Sequence, residues 1–263
     1  MKKIKKFFYS DLKKAKLRLL KFHYESNTGH IGGNFSSIDA LMTIYHHLIG
    51  KKDKFILSKG HSAGALYITL WSKKLIGEKE LSTFSNDNST LPGHPSGSSI
   101  PGLLFSTGSL GHGPSLAAGL ALAERFKKTK NKIYCLCSDG EWQEGSCWEF
   151  LIFASHHKLD NLIIYIDQNG LQGFGRTDEI VSYSDIESRL KAFDANVQSV
   201  DGHSPKCILE ASNNIKKNKL NIIILNTIKG KDISFEGLLE SHYLPLSDKQ
   251  YIEASKNLNK LYS

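Results

Sequence analysis

The stretch Lys132–Leu171, KIYCLCSDGEWQEGSCWEFLIFASHHKLDNLIIYIDQNGL, decides the fold. It opens with the apolar run Ile133-Tyr134-Cys135-Leu136-Cys137, which stops at Ser138-Asp139-Gly140. It closes with Leu162-Ile163-Ile164-Tyr165-Ile166, which stops at Asp167-Gln168-Asn169. Each run reads as a strand buried on both faces. Between them, Ser146–His157 places Trp148, Leu151 and Ile152 at the spacing of a helix lying on a sheet, with Phe150 and Phe153 less strictly in register. The unit is therefore βαβ, its crossover right-handed and its strands parallel, so Asp139 and Asn169 fall just past two carboxyl ends. If the strands are neighbours, a carboxylate and an amide oxygen face one crevice. With a backbone carbonyl just after Asn169, they form the oxygen-only set that Mg²⁺ takes when a phosphate-bearing ligand supplies more oxygens. Asp-Gly and Asn-Gly are also ordinary turn formers, and either reading fits these residues alone.

Working outward, the strand and helix patterns continue to alternate. Phe55–Ser58, Asn196–Val200 and Ile222–Leu225 read as strands. Lys13–Tyr24, Ile38–His47 (capped by Ser36 or Ser37), Ala65–Trp71, Ser115–Phe126 and Pro205–Lys216 read as helices, followed by a polar helix near the end. This pattern predicts one α/β domain over residues 1–263, an open, mostly parallel sheet with helices on both faces. A basic N-terminal helix (about 1–25) and an extended C-terminal tail (about 229–263) flank it. His46 and His47, adjacent on one helix, read as structural. The stretch Phe84–Gly113, rich in Ser, Asn, Gly and Pro, reads as a long functional loop.

The net charge of +8 is local. Nine basic residues between Lys2 and Lys21, against Asp11 alone, carry the whole excess, and the remaining chain is balanced. Repeated lysines on one helix face read as a solvated surface, so no nucleic-acid partner is expected. No run approaches a membrane span, and Phe7-Phe8-Tyr9 is too short for the apolar core of a signal peptide. The four cysteines form no C-x-x-C pair and read as reduced core residues of a cytoplasmic protein with no membrane partner.

Four histidines stand beside glycine: His30, His61, His94 and His112. Imidazoles in turns at a crevice edge can move protons near neutral pH or bond hydroxyl and phosphate groups. No H-x-x-x-H or H-E-x-x-H pair suggests zinc, and no P-loop is present. The glycine run Gly108–Gly113 reverses the dinucleotide order. Placed after Leu103-Leu104-Phe105, with Asp139 on a ribose, it leaves a nicotinamide-dependent dehydrogenase as an alternative.

Ser58-Lys59-Gly60-His61-Ser62-Ala63, Gly93-His94-Pro95, Ser106–Gly113, Asp139–Gly145 and Asp178-Glu179 resemble, in order and spacing, the N-terminal half of transketolases, over about Thr28–Lys231. The resemblance implies a thiamine diphosphate-binding fold. Asp139, Asn169 and the Leu171 carbonyl would hold Mg²⁺, or Ca²⁺ or Mn²⁺ in its place. Gly108, Ser109, Leu110, Gly140, Glu141 and Asn169 would lie along the cofactor, and His61 would touch its diphosphate. His30 and His94 would face the donor sugar, His242 would serve the diphosphate or the substrate, and Glu144 would belong to a subunit interface.

Three positions depart from the family pattern: Ser138 for a glycine, His112 for a glutamine, and Ser241-His242-Tyr243 for Trp-His-Gly. The family also needs a pyrimidine-binding domain, for which nothing after Lys231 is long enough. The resemblance thus implies the N-terminal subunit of a split transketolase, completed by a separate C-terminal subunit into a dimer of heterodimers acting on sugars or sugar phosphates. The further alternatives are a thiamine enzyme subunit using a 2-oxoacid and a non-catalytic scaffold subunit.

Overall fold

The computed structural model describes residues 4–5, 8–97, 100, 102–182 and 185–261. Its elements, in chain order, are α1 (Phe8–Ser26), α2 (Ile31–Thr43), β1 (Lys54–Leu57), α3 (Ala63–Ser72), α4 (Glu78–Leu81), α5 (Gly113–Phe126), β2 (Ile133–Ser138), α6 (Gly145–His156), β3 (Leu162–Gln168), α7 (Thr177–Ile180), α8 (Ile186–Ala192), β4 (Asn196–Asp201), α9 (Pro205–Asn213), β5 (Asn221–Asn226), α10 (Glu240–Tyr243) and α11 (Asp248–Leu261).

The five strands form one sheet in the order β1-β2-β3-β5-β4, every pair parallel. Successive strand residues alternate between two cores, as the two-residue period of a strand requires. Phe55, Leu57, Tyr134, Leu136, Ile163, Tyr165, Ile223 and Leu225 face the core shared with α1, α2, α3, α9 and α11. Ile56, Ile133, Cys135, Cys137, Ile164, Ile166, Ile222 and Ile224 face the core shared with α5, α6 and α8. Both faces are therefore covered, and the β2 and β3 runs are apolar throughout because neither side meets water. β2 and β3 are neighbours, with Ser138 paired to Asp167, so the residues that follow them share one edge of the sheet.

Four expectations need correction. Ser26–Gly33, whose glycines read as a turn around His30, turns over only part of that length: Ser26 still closes α1, α2 starts at Ile31 with His30 at its N-cap in the left-handed region (φ 62°), and Gly32 and Gly33 lie inside the helix. Their lack of a side chain serves close packing, since a Cβ on Gly33 would lie 3.2 Å from the His61 ring. The basic N-terminal face is not wholly solvated. Lys16 is buried and paired with Asp39 at 3.1 Å and Asp232 at 3.3 Å, while Lys2, Lys3 and Lys6 lie outside the described residues. Leu103-Leu104-Phe105 form no strand, which removes the βαβ context that a dinucleotide loop at Gly108–Gly113 needs. The C-terminal tail is extended only in part: the polar helix expected near the end is α11, which buries Ala254 and Leu258 and stacks Tyr251 on Tyr24 of α1 at 4.2 Å, and the short α10 precedes it.

The loop from Phe84 has no helix or strand among its described residues before α5 begins at Gly113. Leu171 and Arg176 form an isolated antiparallel bridge beyond β3. Cys135, Cys137 and Cys147 are buried free thiols. No described helix is long and apolar enough to cross a membrane.

Candidate functional site

Asp139 follows β2 directly and is buried, its N–H donating to Asp167 O at 3.1 Å. Its carboxylate accepts from Gly140 N–H (2.9 Å), Gly170 N–H (2.8 Å) and Thr177 Oγ1 (3.1 Å). Burial first, then the neighbouring Asp167, raise its pKa above the ordinary carboxylate value. Asn169 lies two residues further on from Asp167, its Oδ1 accepting from Leu171 N–H at 3.1 Å. A cavity of about 410 Å³ opens beside Asp139, with Gln168, Gly170, Thr177 and Asn226 among its walls.

Under this edge lies a second carboxylate, which in the sequence reads as the end of a strand. Asp167 is fully buried and ion-paired with the equally buried Lys59. It also accepts from Ser36 (2.6 Å), Ser37 (3.1 Å) and Thr227. Burial alone would raise the Asp167 pKa, but Lys59 and the hydroxyls outweigh it and hold the group below its usual value. The pair ties β1, β3 and α2 together beneath the site.

Lys229, just past β5, was missed as a site residue. Its Nζ donates to Leu171 O at 3.0 Å and Gln172 O at 3.3 Å, and lies 3.0 Å from His242 Nδ1. Burial, helped by Lys59, pushes its pKa down to about 8. Its segment is anchored from below: Ile228 N–H donates to His203 Nε2 at 2.9 Å, and His203 Nδ1 lies 3.1 Å from Asp39, the buried partner of Lys16. The signal was available, because Lys229 stands at a strand's carboxyl end as Asp139 and Asn169 do.

Four histidines converge beside this edge. The His30 ring lies 4.8 Å from His242, 5.6 Å from His94 and 6.0 Å from His61, and His61 lies 6.0 Å from His242. His30 N–H donates to His242 O at 2.9 Å, which fixes α10 against the start of α2. Burial lowers all four pKa values. His30 and His242 fall to about 4, helped respectively by His94 and Lys229, while His61 lies well below its ordinary value and His94 is lowered. The rings are therefore neutral at pH 7. His112 does not join them: it is exposed and bonds Ser109 Oγ and Leu110 O of its own loop, both at 3.1 Å.

Gly108 (φ 118°) and Gly111 (φ 80°) hold that loop in conformations suited to glycine, and a Cβ on Gly111 would lie 2.8 Å from Glu144 Cβ. Gly108 and Ser109 are exposed and Leu110 half-buried. Gly140 approaches Gln172, with 3.1 Å left for a Cβ. The Glu141 carboxylate is buried and bonds Ser58, Gly111 N–H (3.0 Å) and Ser138 N–H (2.8 Å). It is committed to holding the glycine loop against β1 and β2, so a cofactor contact at Glu141 would fall to its backbone. Glu144 is exposed at the start of α6.

The site thus has hard oxygen donors at the ends of neighbouring parallel strands, a buried lysine, a neutral histidine cluster and backbone-lined glycine turns. These define an α/β cofactor-binding domain whose site lies at the carboxyl edge of its sheet. Residues 18–259 match the family model described as transketolase, thiamine diphosphate binding domain. The chain belongs to the transketolase family, and the matched region is that family's thiamine diphosphate binding domain.

Similar chains include an apulose-4-phosphate transketolase subunit of Phocaeicola vulgatus, 35% identical, with 94% of this chain and 92% of that one aligned. The 6-deoxy-6-sulfo-D-fructose transketolase subunit SqwG of a Clostridium species is 38% identical, covering 88% and 89%. Among solved structures, transketolase from Campylobacter jejuni superposes with a TM-score of 0.83 at 28% identity, over 97% of this chain and 43% of that one. The chain therefore spans about two fifths of the solved transketolase chain.

Proposed function

We propose that the chain is the N-terminal subunit of a two-chain transketolase, a transferase moving a two-carbon ketol unit from a ketose to an aldose. The observation that carries this reading is the convergence of His30, His61, His94 and His242 beside the oxygen set at Asp139, Asn169 and Leu171. Thiamine diphosphate, when bound, supplies the carbanion and the electron sink, so the chain has only to bind, orient and move protons.

The residues fit that group and its cation. Asp139, Asn169 Oδ1 and the Leu171 carbonyl are hard donors suited to Mg²⁺, Ca²⁺ or Mn²⁺. The Lys229 ammonium already rests on the Leu171 carbonyl, which marks that oxygen as one that faces positive charge. Lys229 and His61 suit the diphosphate, while the turns at Gly108–Leu110 and Gly140–Glu141 give backbone close approach. His30, His94 and His242, neutral at pH 7, suit the hydroxyls and carbonyl of a sugar, donating with one ring nitrogen and accepting with the other.

The separate subunit would supply the pyrimidine-binding half of the site. The relatives named as transketolase subunits support that division, since this chain aligns over 92% and 89% of their lengths. Glu144, exposed at the start of α6, would belong to the subunit interface that buries the cofactor in a cytoplasmic dimer of heterodimers. The experiment is reconstitution. The chain with its partner, thiamine diphosphate and Mg²⁺ is expected to transfer the ketol unit, and either chain alone is not. Full activity from this chain alone would refute the two-chain reading.

A further inference from the structure

A cavity of about 270 Å³ runs behind the histidine cluster, with His30, His61, His94, Gly64, Phe84 and His23 among its walls. His23, from α1, is 2% exposed, and its Nε2 has no hydrogen-bond partner among the described residues. This nitrogen faces Gly64, where an added Cβ would lie 2.8 Å from Nε2, so glycine at position 64 makes the room the ring occupies.

The neighbouring hydroxyls decide which ring nitrogen carries the proton. Ser26 Oγ donates to Phe22 O at 2.8 Å, so the 2.8 Å contact between Ser26 Oγ and Thr28 Oγ1 uses the threonine proton. Thr28 Oγ1 then has only acceptor capacity left, as has Thr28 O, and His23 Nδ1 faces them at 3.3 Å and 3.5 Å. The proton therefore sits on Nδ1, and Nε2 is left as a bare acceptor. Burial, the largest influence, takes the His23 pKa to about 4, so the ring is neutral at pH 7. A buried acceptor without a donor is destabilising, and a ligand O–H removes that cost. A single water takes roughly 30 Å³, so this space admits a larger ligand.

We propose that His23 Nε2 accepts a hydrogen bond from a hydroxyl of the bound ketose, making His23 a specificity-determining residue at the inner end of the sugar cavity. This rests on the ketol-transfer reading above. A retained water is the other source of an O–H, and the test separates the two.

The reconstituted two-chain enzyme is assayed with xylulose 5-phosphate, fructose 6-phosphate and sedoheptulose 7-phosphate, the ketoses in the solved Pichia stipitis complexes. With the best donor, His23→Leu is expected to raise KM roughly three- to tenfold, as loss of one hydrogen bond does, with kcat little changed. His23→Gln, which keeps an acceptor, recovers most of it. The thermal midpoint of His23→Leu stays level or rises, because an apolar group replaces an unpaired one. A lower midpoint with unchanged KM assigns a structural role and overturns the proposal. Diffraction from the complex with donor should place a sugar oxygen within hydrogen-bond distance of Nε2, and a water held there beside bound sugar overturns it. ¹⁵N histidine spectra of the full chain should show the Nδ1–H tautomer at His23, whatever the activity, and the Nε2–H tautomer overturns the proposal. If the wild-type complex uses no ketose, the ketol-transfer reading fails and takes the sugar assignment with it. A working wild-type enzyme indifferent to His23→Leu sinks this proposal alone.

Discussion

Nζ of Lys229 lies 3.0 Å from Nδ1 of His242, and the same ammonium donates to the Leu171 carbonyl at 3.0 Å. An ammonium has donors only, so Nδ1 accepts and the His242 ring proton is on Nε2. Lys229 thereby sets the face that His242 offers to a ligand. Lys229→Met is expected to weaken thiamine diphosphate binding by about ten- to a hundredfold, the range for a charged hydrogen bond. Calorimetric titration of the cofactor into the assembled complex measures it, and unchanged affinity would remove Lys229 from the site.

Asp139→Asn keeps the size of a side chain that bonds Gly140, Gly170 and Thr177, but removes its charge. The folded chain should survive, with the burial cost of the carboxylate relieved. Mg²⁺ affinity in the presence of thiamine diphosphate should fall by more than about a hundredfold, since even groups that merely support a metal ligand account for ten- to a hundredfold. A reconstituted enzyme with full activity and unchanged Mg²⁺ dependence would contradict the metal assignment.

Lys59 and Asp167 form an ion pair with both side chains fully buried. Lys59→Met strands Asp167 among Ser36, Ser37 and Thr227 and should destabilise the chain by about 3–5 kcal/mol. The double variant Lys59→Met/Asp167→Leu should recover part of the loss, since no charge is then left buried. Urea denaturation of the three chains reads the difference. A single variant as stable as wild type contradicts the burial described here.

Histidine burial sets the acid sensitivity. His23, His30 and His242 have folded pKa values near 4, below the ordinary 6.5, with burial as the leading cause. Each binds fewer protons folded than unfolded between those values, so stability rises with pH across that window and is lost as pH falls from about 6.5 towards 4. For the fully buried His23 the contribution is of order 3 kcal/mol, and the half-buried rings add less because solvent screens them. Denaturation midpoints should climb between pH 4.5 and 6.5 and level off near 7, and His23→Leu should flatten that slope.

Much of this was legible in the chain because it rests on local pattern. The apolar runs of β2 and β3, and the polar residues that end them, suffice to place Asp139 and Asn169 at one edge of the sheet. Other features were hidden for a physical reason. Gly32 and Gly33 read as turn formers, yet lie in α2 because His61 and Ser241 pack against their missing side chains. Lys16 sits in a basic run that reads as solvated, yet it is buried against Asp39 and Asp232, which are distant in sequence.

The sequence by itself determined the parallel α/β sheet, the family, and the residue types at the strand ends, because periodicity and turn chemistry act over a few residues. Only the tertiary structure decided which histidines meet. His30, His61, His94 and His242 come from four separated segments, and His112, equally suggestive in its glycine turn, bonds its own loop instead. It also decided the charge states of Lys229, Asp167 and the rings, because desolvation and proximity depend on packing between distant segments, which a linear pattern does not encode.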